Sequence, residues 1–219
     1  MRCNTISFLQ RRCNHFTAAH LGKCEANYAH LSPLTALKRS VKLFPNKPAY
    51  TYDDKVVTYS TMGVRVSQFA SALLKRGVIK GDVVSVMTSN TPPLLEAHLA
   101  LPGAGLVLHP LNIRLDAATI AYQLKHSEAK IVIVDSEFNN VMAEAKAILV
   151  ASNDPVPAFV NVRDPSYEKD KDIASSELVG NIEYEQFLDS GDATYEIPPC
   201  ADEWDAISLN YTSGTTGNP

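Results

Sequence analysis

Hydrophobic positions follow two rhythms along this chain. From residue 32 to 44, Leu34, Leu37, Val41 and Phe44 recur at helical spacing behind a Ser32–Pro33 start, and Pro45 follows. That spacing lines one helical face, and Ser at the cap with Pro at the first helical position opens a helix. Residues 49–59 form two β-rich runs around Asp53–Asp54, which predicts a hairpin. A second helix is expected from Ser60, as its cap, through Arg76. Its apolar stripe is Val66, Phe69, Ala70, Leu73 and Leu74, and Gly77 ends it.

Beyond Gly77 the rhythm alternates. Strand-like apolar runs occupy 82–88, 106–111, 130–135 and 158–162. Helical patterns lie between them at 93–105, with Pro102 near the end, at 116–128, with Asp116 as cap, and at about 138 to 151. Strands alternating with helices predict an α/β fold: a mostly parallel sheet with flanking helices on both faces. Residues 164–205 break the pattern, with 13 acids against two lysines and Pro198–Pro199 near the end. They read as an acidic, loop-rich excursion, solvated and partly ordered. Residues 206–212 return as a strand and run into "TSGTTGNP".

Charge and composition narrow the function classes. With 20 basic and 24 acidic residues the net charge is -4, which argues against a nucleic-acid binder. The most apolar run, 99–108, carries a Pro and two Gly and is about half the ~20 residues of a spanning helix. Cys3, Cys13, Cys24 and Cys200 are too widely spaced for a zinc pattern and read as free thiols. The histidines are scattered singly. Residues 1–23 are basic and free of acids, which reads as a mitochondrial or plastid transit peptide, a disordered tail or a wrongly chosen start codon.

Candidate chemistry concentrates in residues 212–217. A turn leaving the C-terminal end of a parallel strand is where open α/β sheets bind ligands. Gly214 and Gly217 let backbone approach a ligand closely, while Thr212, Ser213, Thr215 and Thr216 add hydroxyl donors. Neutral donors converging on one point suit phosphate oxygens. The glycine spacing fits neither a Walker loop nor the dinucleotide G-x-G-x-x-G, and an ordinary polar turn remains open. "SNTP" (89–92) opens a helix, so it is an anion site or, more simply, a capping turn. Glu96 and His98 lie two apart and make a poor acid/base pair; Arg114 is assigned no chemistry.

"YTSGTTGNP" resembles the signature phosphate loop of the adenylate-forming (AMP-binding) superfamily. The blocks "CEANYAHLSPLTALKRSVKLFPNKPAY" and "GDVVSVMTSNTPPLLEAHLALPGAGLVLHPLNIRLDAATIAYQLKHSEAKIVIVD" are similar to the acyl-CoA synthetases of the plant acyl-activating type, and "DAISLNYTSGTTGNP" continues the likeness. The resemblance implies an ATP-dependent carboxylic acid–CoA ligase. A carboxylate attacks the α-phosphate of ATP, giving an acyl-adenylate and pyrophosphate, and coenzyme A thiolate then displaces AMP. Thr212, Ser213, Gly214, Thr215, Thr216 and Gly217 would hold the β- and γ-phosphates. ATP, Mg2+ and coenzyme A are the implied cofactors, and a small carboxylic acid is the implied substrate.

The family pattern continues past Pro219 with Lys-Gly and later motifs. The resemblance therefore implies that residues 24–219 are the incomplete N-terminal part of an AMP-binding large domain, inactive alone, with no catalytic residue of its own. A second reading is a naturally truncated, non-catalytic nucleotide-binding or interaction protein. The compartment stays open between mitochondrial, peroxisomal and cytoplasmic. One departure is His109 before Pro110, where the family pattern has Asn; it reads as a packed or surface histidine.

Overall fold

The computed structural model describes residue 24, residues 26–168 and residues 178–212. The two rhythms become a sheet with a helical layer on each face. Helix α1 (Pro33–Leu43) follows Ser32, and the hairpin β1 (Pro48–Tyr52) and β2 (Lys55–Thr58) turns at Asp53–Asp54. Asp53 takes a positive φ of 49°, which Asp tolerates. Helix α2 (Tyr59–Lys75) starts one residue before the expected cap. Thr58, not Ser60, accepts the capping bond, from the Thr61 N–H at 3.2 Å. Gly77, at φ 83°, turns the chain out of α2.

The strand-helix alternation follows as β3 (Val83–Met87), α3 (Pro92–Gly103), β4 (Val107–Pro110), α4 (Ala117–His126), β5 (Ile131–Asp135), α5 (Asn139–Ala151) and β6 (Ala158–Val162). Asp116 caps α4 as expected, accepting from the Thr119 N–H at 2.7 Å. The sheet order is β4–β3–β5–β6, with every neighbouring pair parallel. One face carries Val84, Val86, Leu108, Ile133 and Val160 against α1, α2 and α3. The other carries Met87, Val132, Val134 and Phe159 against α4 and α5. Because both faces are covered, the strands read as continuous apolar runs in the sequence.

The acidic stretch differs from expectation. Past a short turn of helix, α6 (Pro165–Glu168), its described part contains α7 (Tyr184–Asp189). Tyr184, Phe187 and Leu188 are buried in the same core as Phe69 of α2. Acids mark the outer face of this short helix and mask its inner face in a composition count. Gly191 behind it has no room for a side chain, since a Cβ would overlap the Gln68 carbonyl.

A buried ionic network locks these parts together. Glu96 on α3 is fully buried. Its carboxylate accepts from Arg65 Nε at 2.5 Å and Nη2 at 3.2 Å, from the Tyr50 hydroxyl at 3.0 Å and from the Tyr184 hydroxyl at 2.7 Å. Arg65 also grips Glu185 through Nη1 at 2.9 Å and Nη2 at 2.8 Å. One carboxylate thus joins the hairpin, α2, α3 and α7. Burial, then the Glu96 charge, push both phenols well above their ordinary range, so they stay donors.

Among the described residues, two titratable groups, His109 and Asp135, are also buried in the sheet. His109 on β4 is fully buried, with Nδ1 2.9 Å from the Ser85 hydroxyl on β3. Its Nε2 meets no hydrogen-bond partner among the described residues. Burial pulls its pKa down to about 4, partly offset by the Gln123 amide beside it. Asp135 ends β5, and burial pushes its pKa up to about 6, helped by the nearby Asp164 and Glu137 charges and opposed by the Glu137 N–H bond.

Two predictions follow from these groups. Removing one partner of a buried ion pair costs about 3–5 kcal/mol, or about 10 °C in Tm for a chain of this size. Glu96→Gln should show that loss in thermal unfolding. Glu185→Gln, whose side chain is 69% exposed, should lose less than about 1 kcal/mol. Equal losses would remove the locking role of Glu96. Between pH 6.5 and 4 the buried groups act with opposite sign. His109 binds its proton more weakly when folded, so its contribution is present above 6.5 and lost as pH falls toward about 4. Asp135 binds its proton more tightly when folded, so it favours folding increasingly as pH falls from about 6 toward 3.8. Relative to wild type, His109→Asn should therefore gain stability on acidification and Asp135→Asn should lose it. Unfolding in denaturant at pH 7 and pH 4.5 checks this, and slopes of the same sign would contradict it.

Candidate functional site

The sheet's winding defines where a ligand fits. From β3 the chain crosses through α3 on one face to β4. It then crosses through α4 on the opposite face, past β3, to β5. The winding direction therefore reverses between β3 and β5, and the crevice outside such strand ends is the common ligand position of open α/β sheets.

That crevice is built from the loops after β3 and β5. The Ser89 hydroxyl donates to Glu137 Oε2 at 3.1 Å and ties the two loops together. Thr88 Oγ1, Thr91 Oγ1 and Asp135 Oδ2 are buried there without partners among the described residues. The anion reading of "SNTP" fails on donors. Thr91 is the N-cap of α3 but makes no side-chain cap bond, and Pro92 and Pro93 occupy the first two helical positions. Neither proline has an N–H, and the Leu94 N–H is bonded to the Thr91 carbonyl at 3.1 Å. The local charge is also wrong for phosphate, with Asp135, Glu137 and Asp164 close together.

A cavity of about 670 Å³ opens beside Thr91, under the hairpin, between Tyr50, Tyr52, Tyr184 and Val162. Five carboxylates line it, from Asp53, Asp54, Asp164, Glu183 and Glu185, against Lys55, Arg65 and Arg163. Arg65 and Arg163 are both engaged in ion pairs. This lining does not suit a triphosphate either.

The remaining C-terminal strand end lies beyond β4. Residues 207–209 run parallel to β4 as its outer neighbour. The Leu108 N–H donates to the Ile207 carbonyl at 3.1 Å, and the Leu209 N–H donates to the Leu108 carbonyl at 2.8 Å. The expected strand over 206–212 is reduced to this one bridge at Ser208. Pro110 explains the stop: the next rung would need its N–H, and proline has none. Past the bridge, the Tyr211 ring lies 5.0 Å from His109, and its hydroxyl is 2.7 Å from His126 Nδ1 on α4.

Of the expected phosphate-binding residues, only Thr212 lies among the described residues, and it is exposed. Ser213, Gly214, Thr215, Thr216 and Gly217 lie outside them, as do residues 1–23. Their chemistry, hydroxyls and glycine backbone, fits phosphate oxygens. Among the described residues no cluster of three or more His, Cys, Asp or Glu could hold a metal, and no helix is long and apolar enough to cross a membrane. Glu96 is a buried network centre and not an acid/base partner of His98, whose Nδ1 instead lies 2.8 Å from the Leu94 carbonyl. Sequence reading missed the Tyr211–His126 contact. Its one signal was Tyr211 itself, standing at the head of the hydroxyl-rich segment.

Comparisons with known proteins bear on the family and the fold. A family model described as AMP-binding enzyme matches residues 37–219. An acetate–CoA ligase of Humulus lupulus is 41% identical over 202 residues, covering 91% of this chain and 35% of that protein. A peroxisomal trans-cinnamate:CoA ligase of Petunia hybrida is 38% identical over 209 residues, covering 91% and 36%. The chain thus spans about a third of the length of the curated relatives it matches. Among solved structures, an anthranilate CoA ligase in complex with anthranoyl-AMP superposes with a TM-score of 0.72 at 22% identity, over 90% of this chain and 35% of that one. From Leu37 in α1 to Pro219, then, the chain belongs to the AMP-binding enzyme family.

Proposed function

We propose that this chain is the ATP-phosphate-binding part of a carboxylic acid–CoA ligase. The observation that carries the reading is the position of residues 207–212. Residues 207–209 add alongside β4, in parallel, and so bring the chain to Thr212, where the hydroxyl- and glycine-rich sequence begins. Acid–CoA ligase names among relatives at 35–41% identity support the same reading. The reaction joins a carboxylate to the α-phosphate of ATP with release of pyrophosphate, then exchanges AMP for coenzyme A. In such transfers the protein mainly positions groups and neutralises charge. Thr212, Ser213, Gly214, Thr215, Thr216 and Gly217 would grip the β- and γ-phosphates through backbone N–H and hydroxyl donors and release pyrophosphate afterwards. Mg2+ would supply charge neutralisation on those phosphates, and coenzyme A the thiol.

The acid is small in this proposal, of the acetate, butyrate, benzoate or cinnamate kind named for the relatives. Three of those relatives are named peroxisomal, which supports a peroxisomal location; none supports the mitochondrial reading of residues 1–23.

Acid-dependent ATP–pyrophosphate exchange by the full-length protein tests the reading. Thr215→Ala and Thr216→Ala should each raise the KM for ATP by about ten- to a hundredfold, the loss of a hydrogen bond to a charged group. The KM for the acid should stay unchanged. An unchanged KM for ATP with unchanged turnover would remove the phosphate role.

A further inference from the structure

Pro110 ends the backbone ladder that holds the outer segment to β4. After the Leu209 N–H bond to Leu108, the described residues show no further backbone bond to the sheet from residues 210–212. A chain left there would be free to pivot at the root of its hydroxyl-rich segment. The Tyr211 side chain takes over where the ladder stops. Its hydroxyl meets His126 Nδ1 at 2.7 Å, its ring lies 5.0 Å from the His109 ring at an interplanar angle of 47°, and the His126 ring stands edge-on to it at 5.8 Å.

Both partners are themselves fixed. His109 is fully buried on β4 and bonded to Ser85 on β3. His126 lies in the last turn of α4 and stacks on Tyr122 at 5.6 Å and 13°. Helix α4 is rooted in the core by Ile120, Ala121 and Leu124. Tyr211 therefore bridges strand β4 and the last turn of helix α4, where His126 itself is exposed. Thr212 begins one residue later, about 3.8 Å along the chain.

We infer that Tyr211 and His126 are positioning residues, a side-chain latch that replaces the missing ladder rung and sets the direction in which the chain leaves the sheet at Thr212, the first residue of the hydroxyl-rich segment. The inference rests on the phosphate reading of that segment. Misplacement of a binding group by about 1 Å can cost up to a hundredfold in such reactions, so the latch acts on nucleotide binding without touching the nucleotide.

The test uses the full-length protein, MgATP binding by calorimetry and hydrogen exchange of residues 206–212. Tyr211→Phe and His126→Ala should each weaken MgATP binding by about tenfold, the effect of one lost hydrogen bond. Both should speed exchange of the 206–212 amides while leaving β3 and β5 protected. His126→Asn places an amide near the Nδ1 position and should recover binding to within about twofold of wild type, which a loss of general stability would not allow. Wild-type affinity in both Tyr211→Phe and His126→Ala overturns the inference, whether or not exchange changes. Wild-type exchange in both also overturns it. If the wild-type protein itself binds no MgATP, the phosphate reading fails and the positioning role falls with it. The two failures are told apart by the wild-type titration.

Discussion

A parallel strand cannot be joined to its parallel neighbour by a tight turn. The chain must travel back the length of the sheet before each new strand. That constraint organises everything described above. It requires the helices α3, α4 and α5, places them on both faces, and makes the sheet interior dry and apolar on both sides. It also collects the loops after β3, β4 and β5 along one edge, where hydroxyls, carboxylates and histidines can gather without disturbing the core.

Along that edge the chain separates positions by charge and by available donors. The crevice at the winding reversal is crowded with Asp135 and Glu137, and the prolines opening α3 remove the N–H groups an anion would need. The edge beyond β4 leads to the exposed Thr212, with the Tyr211 ring packed beside buried His109. Carboxylates and missing donors disfavour an anionic triphosphate in the first place; the second is where we propose that it binds. Glu96 supports this division from a distance: by gathering Arg65, Tyr50 and Tyr184 around one buried carboxylate, it fixes the hairpin and α7 against α2 and α3.

Much of this was legible in the residues. The Ser32–Pro33 start, the Asp116 cap and the apolar runs of the four sheet strands fall where the pattern puts them, because period and capping are local properties. Four features were not legible, and each is non-local. Residues 184–188 looked solvated because their acids were counted and their inward Tyr184, Phe187 and Leu188 were not. Glu96 carried no sign that residues 46 and 88 positions away would converge on it. The strand over 206–212 was overdrawn, since its length depends on Pro110 in the neighbouring strand and not on its own sequence. Tyr211 and His126, 85 residues apart, meet only because α4 and the outer segment flank the same strand end.

The central claim is that residues 212–217 receive the phosphates of ATP at the edge of the sheet beyond β4. A crystal structure of the full-length protein with MgATP tests it most directly. The account predicts the β- and γ-phosphates within hydrogen-bond distance of the hydroxyls and amides of residues 212–217, with Tyr211 still bonded to His126. A triphosphate seated in the carboxylate-lined cavity under the hairpin, or bound with no contact to residues 212–217, would contradict it.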